Sequence, residues 1–197
     1  MTGPSDLIPG KYEGGFKVWE ATGDLIQWIS DSAAVVQDKV ILDLGCGAGL
    51  VGIACLLAGA GRVTFHDFNE TVIEYFTKAN VSLNICPLDG NDKSLPNNVS
   101  FAFGDWNQFY PAEKFDLIFS SETIYDEKSY GDMISLIKRS LKPEGSALIA
   151  AKTYYFGVGG GTRSFEQFVE RDKCLHPQPV KVIAAPVQRE IMQLRFT

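Results

Sequence analysis

The chain has 197 residues, with 18 Lys and Arg, 24 Asp and Glu and a formal net charge of −6 at pH 7. Hydrophobic residues make up 45% and charged residues 21%, a composition that excludes a wholly disordered chain. The acidic balance argues against binding nucleic acid through a basic surface, because phosphate neutralisation needs lysines and arginines. We therefore expect no direct, sequence-specific nucleic-acid binding. The charge is compatible with a small-molecule ligand or a basic protein partner.

The cysteines and histidines predict neither a metal site nor disulfides. The four cysteines show no C-x-x-C spacing and there are only two histidines, so we expect no metal. Unpatterned cysteines are typical of reduced thiols, which predicts a cytoplasmic or nuclear location. The chain starts without the apolar run of a signal peptide, and no apolar run is long enough for a membrane span. No feature indicates an obligate oligomer, so we expect a monomer.

Strand-like and helix-like segments alternate along the chain after an irregular lead-in of residues 1–15. The expected strands lie at 39–44, 62–66, 99–103, 115–120, 146–152, 180–184 and 188–196, the last two as an antiparallel hairpin. The expected helices lie at 18–29, 50–58, 69–80, 127–141 and 164–171, and 84–98 is expected to be a surface loop. This order predicts one α/β domain over 16–197, with a seven-stranded, mostly parallel sheet and helices on both faces. Ligands of such sheets bind where strand order reverses, beyond the carboxyl ends of the strands.

A glycine-rich turn follows the first strand, at Gly45, Gly47 and Gly49. Glycines let the backbone approach a ligand where a Cβ atom would collide, and the next helix offers free N–H groups. The spacing is G-x-G-x-G rather than the G-x-G-x-x-G of dinucleotide sites, so it disfavours a nicotinamide-dependent oxidoreductase and suits a nucleoside that carries an amino acid. Asp43 before the turn makes a purely structural turn the less favoured alternative. We expect Gly52 to permit close packing of helix on strand.

Acidic residues follow the second and third strands. Asp67 lies 22 residues after Gly45, where a carboxylate can accept both hydroxyls of a ribose; the alternative is a helix cap. Asp105 and Trp106 follow Gly104. There an acid can accept a hydrogen bond from an adenine amino group while an indole offers a flat face to the base. The alternative for this loop is a turn with a core tryptophan.

The three loops together resemble those of the class I, seven-stranded S-adenosylmethionine-dependent methyltransferases, over about residues 18–197. Three further segments are similar to the eukaryotic protein-histidine methyltransferase family: YEGGFKVWEAT at 12–22, SSETIY at 120–125 and AKTYYFGVGGG at 151–161. Members of that family methylate a histidine of a large-subunit ribosomal protein on the distal (tele) ring nitrogen. The resemblance implies a protein-histidine N-methyltransferase with S-adenosylmethionine as cofactor and a basic ribosomal protein as substrate.

The resemblance also implies which residues contact the cofactor. Those at its methionine end would be Val18, Trp19, Glu20, Ala21 and Thr22, with Ser121 beside the sulfonium. The glycine turn would contribute Asp43, Gly45, Gly47 and Gly49, the ribose side His66, Asp67 and Phe68, and the adenine side Gly104, Asp105 and Trp106. For Trp19, packing of the first helix against the sheet is an alternative.

Glu122 is the expected catalytic residue, together with Tyr125. A neutral imidazole already has the lone pair for an in-line displacement, so no strong base is needed. A carboxylate that accepts the far N–H would determine which nitrogen attacks. A lysine acceptor must first lose a proton, which Glu122 can also assist, so a protein-lysine methyltransferase is an alternative. A non-catalytic cofactor-binding module is another, and Glu122 as a cap of the following helix is a third.

The remaining residues of these segments are expected to bind the substrate. Thr123 would narrow the pocket, and Tyr154, Tyr155 and Phe156 would form a wall beside it. The glycines that follow, including Gly159, would allow a lid or a close approach of the peptide backbone. A phosphate-binding P-loop is excluded there because no Lys-Ser or Lys-Thr follows.

Overall fold

Strands and helices alternate as the sequence predicts. The structure, a computed structural model, describes residue 8, residues 10–86 and residues 95–197. The strands are β1 (Val40–Leu44), β2 (Arg62–Asp67), β3 (Val99–Phe103), β4 (Phe115–Ser121), β5 (Leu141–Lys152), β6 (Leu175–Ile183) and β7 (Arg189–Phe196). The helices are α1 (Glu20–Asp31), α2 (Leu50–Leu57), α3 (Glu70–Val72), α4 (Lys78–Ile85), α5 (Tyr130–Ser140) and α6 (Thr162–Asp172). Short 3-10 turns lie at Ala33–Val35, Trp106–Gln108 and Glu127–Ser129, and a π-helical turn at Ile73–Thr77 joins α3 to α4.

All seven strands form one sheet in the order β3-β2-β1-β4-β5-β7-β6. Strands β1 to β5 run parallel, and β7 runs antiparallel to both β5 and β6. This confirms the mostly parallel sheet and the C-terminal antiparallel hairpin. Strand order reverses between the neighbours β1 and β4, whose ends lie side by side through the pairing of Leu44 with Ser120. A crevice therefore opens at this edge of the sheet.

Helices cover both faces of the sheet, as predicted. Helix α1 buries Ala21, Leu25 and Ile29, one residue per turn, and packs with α2 and α4 on one face. Helices α5 and α6 pack on the other face, with Met133 and Phe165 in that core. Among the described residues, no helix combines the length and apolar character needed to cross a bilayer.

Several element boundaries differ from the prediction. Strand β5 begins at Leu141, because residues 142–145 are accommodated in an irregularity of the ladder rather than in a separate turn. Strand β6 begins at Leu175; it lies at the edge of the sheet, where Pro177 and Pro179 are tolerated. Helix α4 continues to Ile85, so the predicted loop 84–98 begins later, and its residues 87–94 lie outside the described part of the chain.

Candidate functional site

Two adjoining cavities open at the carboxyl ends of β1, β2 and β4, where the strand order predicts a ligand site. The larger has a volume of about 520 Å³ and the smaller about 350 Å³. The residues that line both are Glu13, Trp19, Glu122, Tyr125 and Val158. The two cavities therefore share a boundary, across which one ligand can react with another.

The larger cavity collects most of the residues expected to bind the cofactor. Those that line it are Val18, Trp19, Thr22, Gly45, Gly47, Asp67, Phe68, Asp105, Trp106 and Ser121. Those that line neither cavity are Glu20, Ala21, Asp43, Gly49, His66 and Gly104. Thr123 lines the larger cavity, Tyr154, Tyr155 and Phe156 line the smaller one, and Gly159 lines neither. The segments expected to bind cofactor and substrate thus separate into two neighbouring spaces.

The glycine turn has the conformation and the close contacts that require glycine. Gly45 has a φ of +68°, and a Cβ atom there would lie 2.5 Å from Cγ2 of Thr123. Gly47 has a φ of +50°, and a Cβ atom there would lie 3.0 Å from the carbonyl oxygen of Gly15. Side chains at these two positions would collide with the loop after β4 and with the lead-in, respectively.

A buried carboxyl group supports the turn from below. Asp43 is 2% exposed, and its Oδ2 accepts a hydrogen bond of 2.8 Å from the backbone N–H of Gly52. Burial raises the pKa of Asp43 to about 8. A Cβ atom at Gly52 would lie 2.3 Å from the ring of Phe65, which confirms that this glycine permits close packing of α2 on β2. Asp43 therefore acts on the position of the turn and not directly on the cavity.

The π-helical turn contributes a second support that sequence reasoning missed. The hydroxyl of Thr77 is fully buried and donates a hydrogen bond of 2.7 Å to the carbonyl oxygen of Gly47. A π-helical turn changes the direction of the side chains that follow it, and here it brings Thr77 under the glycine turn. A single-residue change of helical period leaves no pattern in the sequence that predicts this contact.

Asp67 lines the larger cavity and also holds the turn. It is 5% exposed; its Oδ2 accepts from the N–H of Gly47 at 2.9 Å, and its Oδ1 accepts from the N–H of Asn69 at 3.1 Å. Burial raises its pKa. Each carboxylate oxygen has two lone pairs, so both retain capacity for a ligand hydroxyl. The local contact with Asn69 and the cavity position are therefore compatible, and the ribose role stays a prediction.

The loop after β3 combines the two alternatives considered for it. The Asp105 carboxylate accepts from the N–H of Asn107 at 3.2 Å and so caps the 3-10 turn that follows. Trp106 lines the cavity while its carbonyl oxygen accepts a hydrogen bond from Arg139. The turn that Asp105 caps thus places an indole at the wall of the cavity.

His66 lies outside both cavities. Its ring is fully buried, lies 4.6 Å from the Phe109 ring between centroids, and has no hydrogen-bond partner for either nitrogen within the described part of the chain. Burial lowers its pKa to about 4, so the ring is neutral. The carbonyl oxygen of His66 accepts from the N–H of Cys46 at 2.9 Å. His66 therefore reaches the glycine turn through its backbone, and its side chain packs inside the domain.

The lead-in forms one side of the larger cavity, which the prediction of an irregular segment did not anticipate. Glu13 donates its N–H to Oδ1 of Asn69 at 3.2 Å, and its carboxylate accepts a hydrogen bond from the hydroxyl of Tyr125. The indole N–H of Trp19 donates to the carbonyl oxygen of Gly14 at 3.2 Å. The similarity of segment 12–22 to the histidine methyltransferases was the signal that pointed to a role for these residues. The domain boundary at residue 15 stays a prediction.

Glu122 lies directly after β4, at the boundary of the two cavities, with a φ of +59° and 6% exposure. Its Oε1 accepts a hydrogen bond of 3.0 Å from the N–H of Ala21, and its Oε2 accepts one from the hydroxyl of Tyr155. Ala21 lies in the first turn of α1, so the carboxylate caps α1 and not the helix that follows it in sequence. A hydrogen bond of 2.9 Å between the hydroxyls of Thr22 and Ser121 fixes the same end of α1.

The smaller cavity has an aromatic wall. The aromatic residues that line it are Trp19, Tyr125, Tyr154, Tyr155 and Phe156. Burial raises the pKa of the hydroxyls of Tyr125 and Tyr155, and the carboxylates that accept from them raise it further, so both hydroxyls stay protonated. Lys152 also lines this cavity, and its Nζ lies 3.1 Å from Oε2 of Glu20. These groups form a partly apolar pocket that is also lined by the carboxylates of Glu13 and Glu122.

The glycines at 157–161 hold the loop against the rest of the site. The N–H of Tyr155 donates to the carbonyl oxygen of Gly160 at 2.9 Å, and the N–H of Gly160 donates to the carbonyl oxygen of Tyr125 at 3.0 Å. The close backbone approach at Gly160 is thus made by the chain itself, whereas a Cβ atom at Gly157 or Gly159 would have nothing within 4 Å, so the substrate role of Gly159 stays a prediction.

Comparison with known proteins places these cavities in context. The chain is 44% identical over 182 residues to the "Histidine protein methyltransferase 1 homolog" of Dictyostelium discoideum, covering 91% of this chain and 55% of that protein. It is 37% identical over 215 residues to the homolog of Mus musculus, covering 98% and 59%. The "Protein N-lysine methyltransferase METTL21A" of Danio rerio is 28% identical over 138 residues, covering 70% and 61%. The chain spans a little over half the length of the histidine methyltransferase relatives that it matches.

Solved structures show the same fold at low identity. The ribosomal protein L11 methylase from Lactobacillus delbrueckii subsp. bulgaricus has a TM-score of 0.67 and 18% identity, covering 94% of this chain and 84% of that one. The glycopeptide N-methyltransferase MtfA complexed with sinefungin has a TM-score of 0.65 and 12% identity, covering 91% and 95%. These similarities confirm the class I methyltransferase fold. The model of the lysine methyltransferase family matches residues 10–168, and the chain belongs to this family.

Proposed function

We propose that this chain is an S-adenosylmethionine-dependent protein-histidine N-methyltransferase that acts on the tele nitrogen. The observation that carries the proposal is the position of Glu122, whose carboxylate lies at the boundary between a glycine-lined cavity and an aromatic cavity. The two relatives named histidine protein methyltransferase homolog, 44% and 37% identical to this chain, support a histidine acceptor.

The larger cavity suits the methyl donor. Gly45 and Gly47 line this cavity and would contact the donor's amino-acid portion through their backbone, in a turn that requires glycine because a Cβ atom at either position would collide with Thr123 or Gly15. Asp67 would accept the ribose hydroxyls, and Trp106 would contact the adenine. When bound, S-adenosylmethionine supplies a methyl group on a positively charged sulfur, and the shared boundary would direct that group toward the smaller cavity.

Glu122 would select the attacking nitrogen of the acceptor. A neutral imidazole carries one N–H and one lone pair, on opposite sides of the ring. If the carboxylate accepts the N–H, the lone pair of the other nitrogen is left to form an N–C bond in line with the C–S bond that would break, and the sulfur would keep that electron pair in neutral S-adenosylhomocysteine. The nearby aromatic side chains would exclude water, and the product proton would remain on the nitrogen that faces Glu122 until it is lost to solvent.

A lysine acceptor is the second candidate, because the family is described as a lysine methyltransferase family. The charge of the smaller cavity does not separate the two acceptors, because Lys152, whose Nζ lies 3.1 Å from Oε2 of Glu20, lines it together with the carboxylates of Glu13 and Glu122. The protonation state of the acceptor favours imidazole. A lysine would have to lose its proton, at a cost of about 3.4 pH units from its ordinary pKa to pH 7, whereas imidazole is largely neutral there. A non-catalytic module is less favoured, because it has no use for a carboxylate held between two open cavities.

The test is to incubate the full chain with S-adenosylmethionine carrying a deuterated methyl group and a cell extract, and to analyse hydrolysed protein by mass spectrometry. We expect deuterated tele-methylhistidine. Labelled methyl-lysine without methylhistidine would contradict the proposal. Glu122→Gln should abolish most of the labelling, whereas Glu113→Gln, which alters an exposed carboxylate paired with Arg62, should leave it unchanged.

The substrate and setting remain part of the proposal. The net charge of −6 supports a basic substrate such as a ribosomal protein. We propose that the chain binds this substrate as a monomer, in the cytoplasm or nucleus. Purified ribosomal proteins should then be labelled faster than an equal mass of acidic proteins. Analytical ultracentrifugation and a fluorescent fusion would check the oligomeric state and the location.

A further inference from the structure

The carboxylate of Glu122 is held at both oxygens by parts of the chain that lie far apart in sequence. Ala21 donates its N–H to Oε1 at 3.0 Å, and the hydroxyl of Tyr155 donates to Oε2. We infer that Tyr155 is a positioning residue that acts through Glu122 and determines which imidazole nitrogen is methylated. The inference rests on the proposed histidine methyltransferase function.

Two donors fix the plane of a carboxylate better than one. With only the Ala21 contact, the carboxylate of Glu122 could rotate about its last side-chain bond while keeping one hydrogen bond. The bond from Tyr155 removes this freedom, because it holds the second oxygen. Each carboxylate oxygen then keeps one lone pair that can accept the N–H of the substrate imidazole, in a direction set by the protein.

The hydroxyl of Tyr155 is suited to donate and not to act as a base. Burial, reinforced by the adjacent carboxylate of Glu122, raises its pKa, so the O–H is retained at neutral pH. The backbone N–H of Lys152 donates to the same oxygen at 3.4 Å, so the hydroxyl proton of Tyr155 stays directed at Glu122. The backbone bonds between the 155–160 loop and Tyr125 in turn fix the ring.

The other tyrosine of this boundary has a different partner. Tyr125 donates its hydroxyl to Glu13 of the lead-in, and its ring meets the Tyr155 ring at 72° with 6.5 Å between centroids. The two hydroxyls therefore position different parts of the site: that of Tyr125 holds the lead-in, and that of Tyr155 holds Glu122. This assigns to Tyr155 a more specific role than that of a substrate wall.

A tilted carboxylate would accept the N–H of either imidazole nitrogen. Tyr155→Phe keeps the ring and removes the donor, so we expect about a tenfold lower rate, since hydrogen bonds to charged groups are the stronger class. The apparent KM for S-adenosylmethionine should change less than about twofold, because Tyr155 lies outside the larger cavity. The product should contain a larger share of pros-methylhistidine than the wild-type product.

The experiment measures initial rates and the tele-to-pros ratio in hydrolysed protein after reaction with deuterated-methyl S-adenosylmethionine and a cell extract. The variants are Tyr155→Phe, Glu122→Gln and the two combined. In the Glu122→Gln background, Tyr155→Phe should change the rate less than about twofold, because a residue that acts through another has no effect once that residue is altered. Glu122→Asp, which withdraws the carboxylate from Tyr155, should also raise the pros share.

The matched control is Tyr110→Phe, which removes the hydroxyl of an exposed tyrosine that lines neither cavity. It should change neither the rate nor the tele-to-pros ratio. A wild-type reaction without methylhistidine would overturn both proposals. If the wild type produces methylhistidine, either of two results would overturn only this inference. One is an unchanged tele-to-pros ratio in both Tyr155→Phe and Glu122→Asp. The other is that Tyr155→Phe and Glu122→Gln have additive effects on the rate.

Discussion

The two cavities are built in different ways. The larger one is formed by the loops that follow β1, β2, β3 and β4, including the glycine turn, with the lead-in as one side, so most of its shape follows from the fold. The smaller one is formed by side chains from the lead-in, the loop after β4 and the loop after β5. Its shape depends on pairs such as Tyr155 with Glu122 and Tyr125 with Glu13. We therefore expect the fold to determine cofactor binding and side-chain pairing to determine the acceptor.

The largest expected effect is on the larger cavity, from Asp67→Ala. This change removes the expected ribose partner and the acceptor for the N–H of Gly47, so we expect about 100-fold weaker binding of S-adenosylhomocysteine by calorimetry. Asp31→Ala, at the exposed end of α1, is the control and should bind normally. Equal affinity for Asp67→Ala and the wild type would contradict the role of Asp67 as the ribose partner.

The next effect tests the backbone of the turn. Gly47→Ala places a Cβ atom 3.0 Å from the carbonyl oxygen of Gly15 at a φ of +50°, so both the turn and the lead-in must shift. We expect about tenfold weaker S-adenosylhomocysteine binding. Gly23→Ala adds the same atom in α1, where nothing lies within 4 Å, and should retain full affinity. If Gly23→Ala lost as much affinity for S-adenosylhomocysteine as Gly47→Ala, the effect would be due to general destabilisation and not to the turn.

A smaller effect concerns pH and the support beneath the turn. Because burial raises the pKa of Asp43 to about 8, the folded chain holds this proton more tightly than the unfolded chain does. The stability from this group is complete below the unfolded pKa of about 4 and is lost as the pH rises toward 8. Asp43→Asn cannot titrate. Between pH 5 and pH 8, its free energy of unfolding should therefore decrease less than that of the wild type, with a difference of at least about 1 kcal/mol between the two decreases. Urea denaturation that gives the same change in free energy of unfolding for the variant and the wild type between these two pH values would contradict this.

Much of the larger cavity could be predicted from the sequence, because local patterns encode it. The glycine spacing and the acids that follow the second and third strands identified Gly45, Gly47, Asp67 and Trp106, all of which line that cavity. His66 shows the limit of this reasoning, because adjacent residues in a strand point to opposite faces of the sheet. Asp67 faces the cavity, so the side chain of its neighbour His66 is directed into the core.

The contacts that organise the smaller cavity could not be predicted from residue patterns. Glu122 caps α1 across a separation of 101 residues, and Tyr125 pairs with Glu13 across 112. No periodicity links positions so far apart, and only the similarity to a known family placed these segments in one site. The residues were therefore identified correctly as a group, while their partners became visible only in the folded chain.

The smallest expected effect tests whether the two regions are coupled through the lead-in. Tyr125→Phe removes the hydrogen bond to Glu13 and leaves Asn69 as a lead-in contact, through the N–H of Glu13 at 3.2 Å. Because the contacts of Asn69 with Glu13 and Lys11 remain, we expect only about threefold weaker S-adenosylhomocysteine binding, the size of one weak hydrogen bond. Tyr75→Phe, on an exposed ring, is the matched control. A larger loss than in Gly47→Ala would mean that a side-chain pair, and not the strand ends, determines cofactor binding, and the contrast between the cavities would fail.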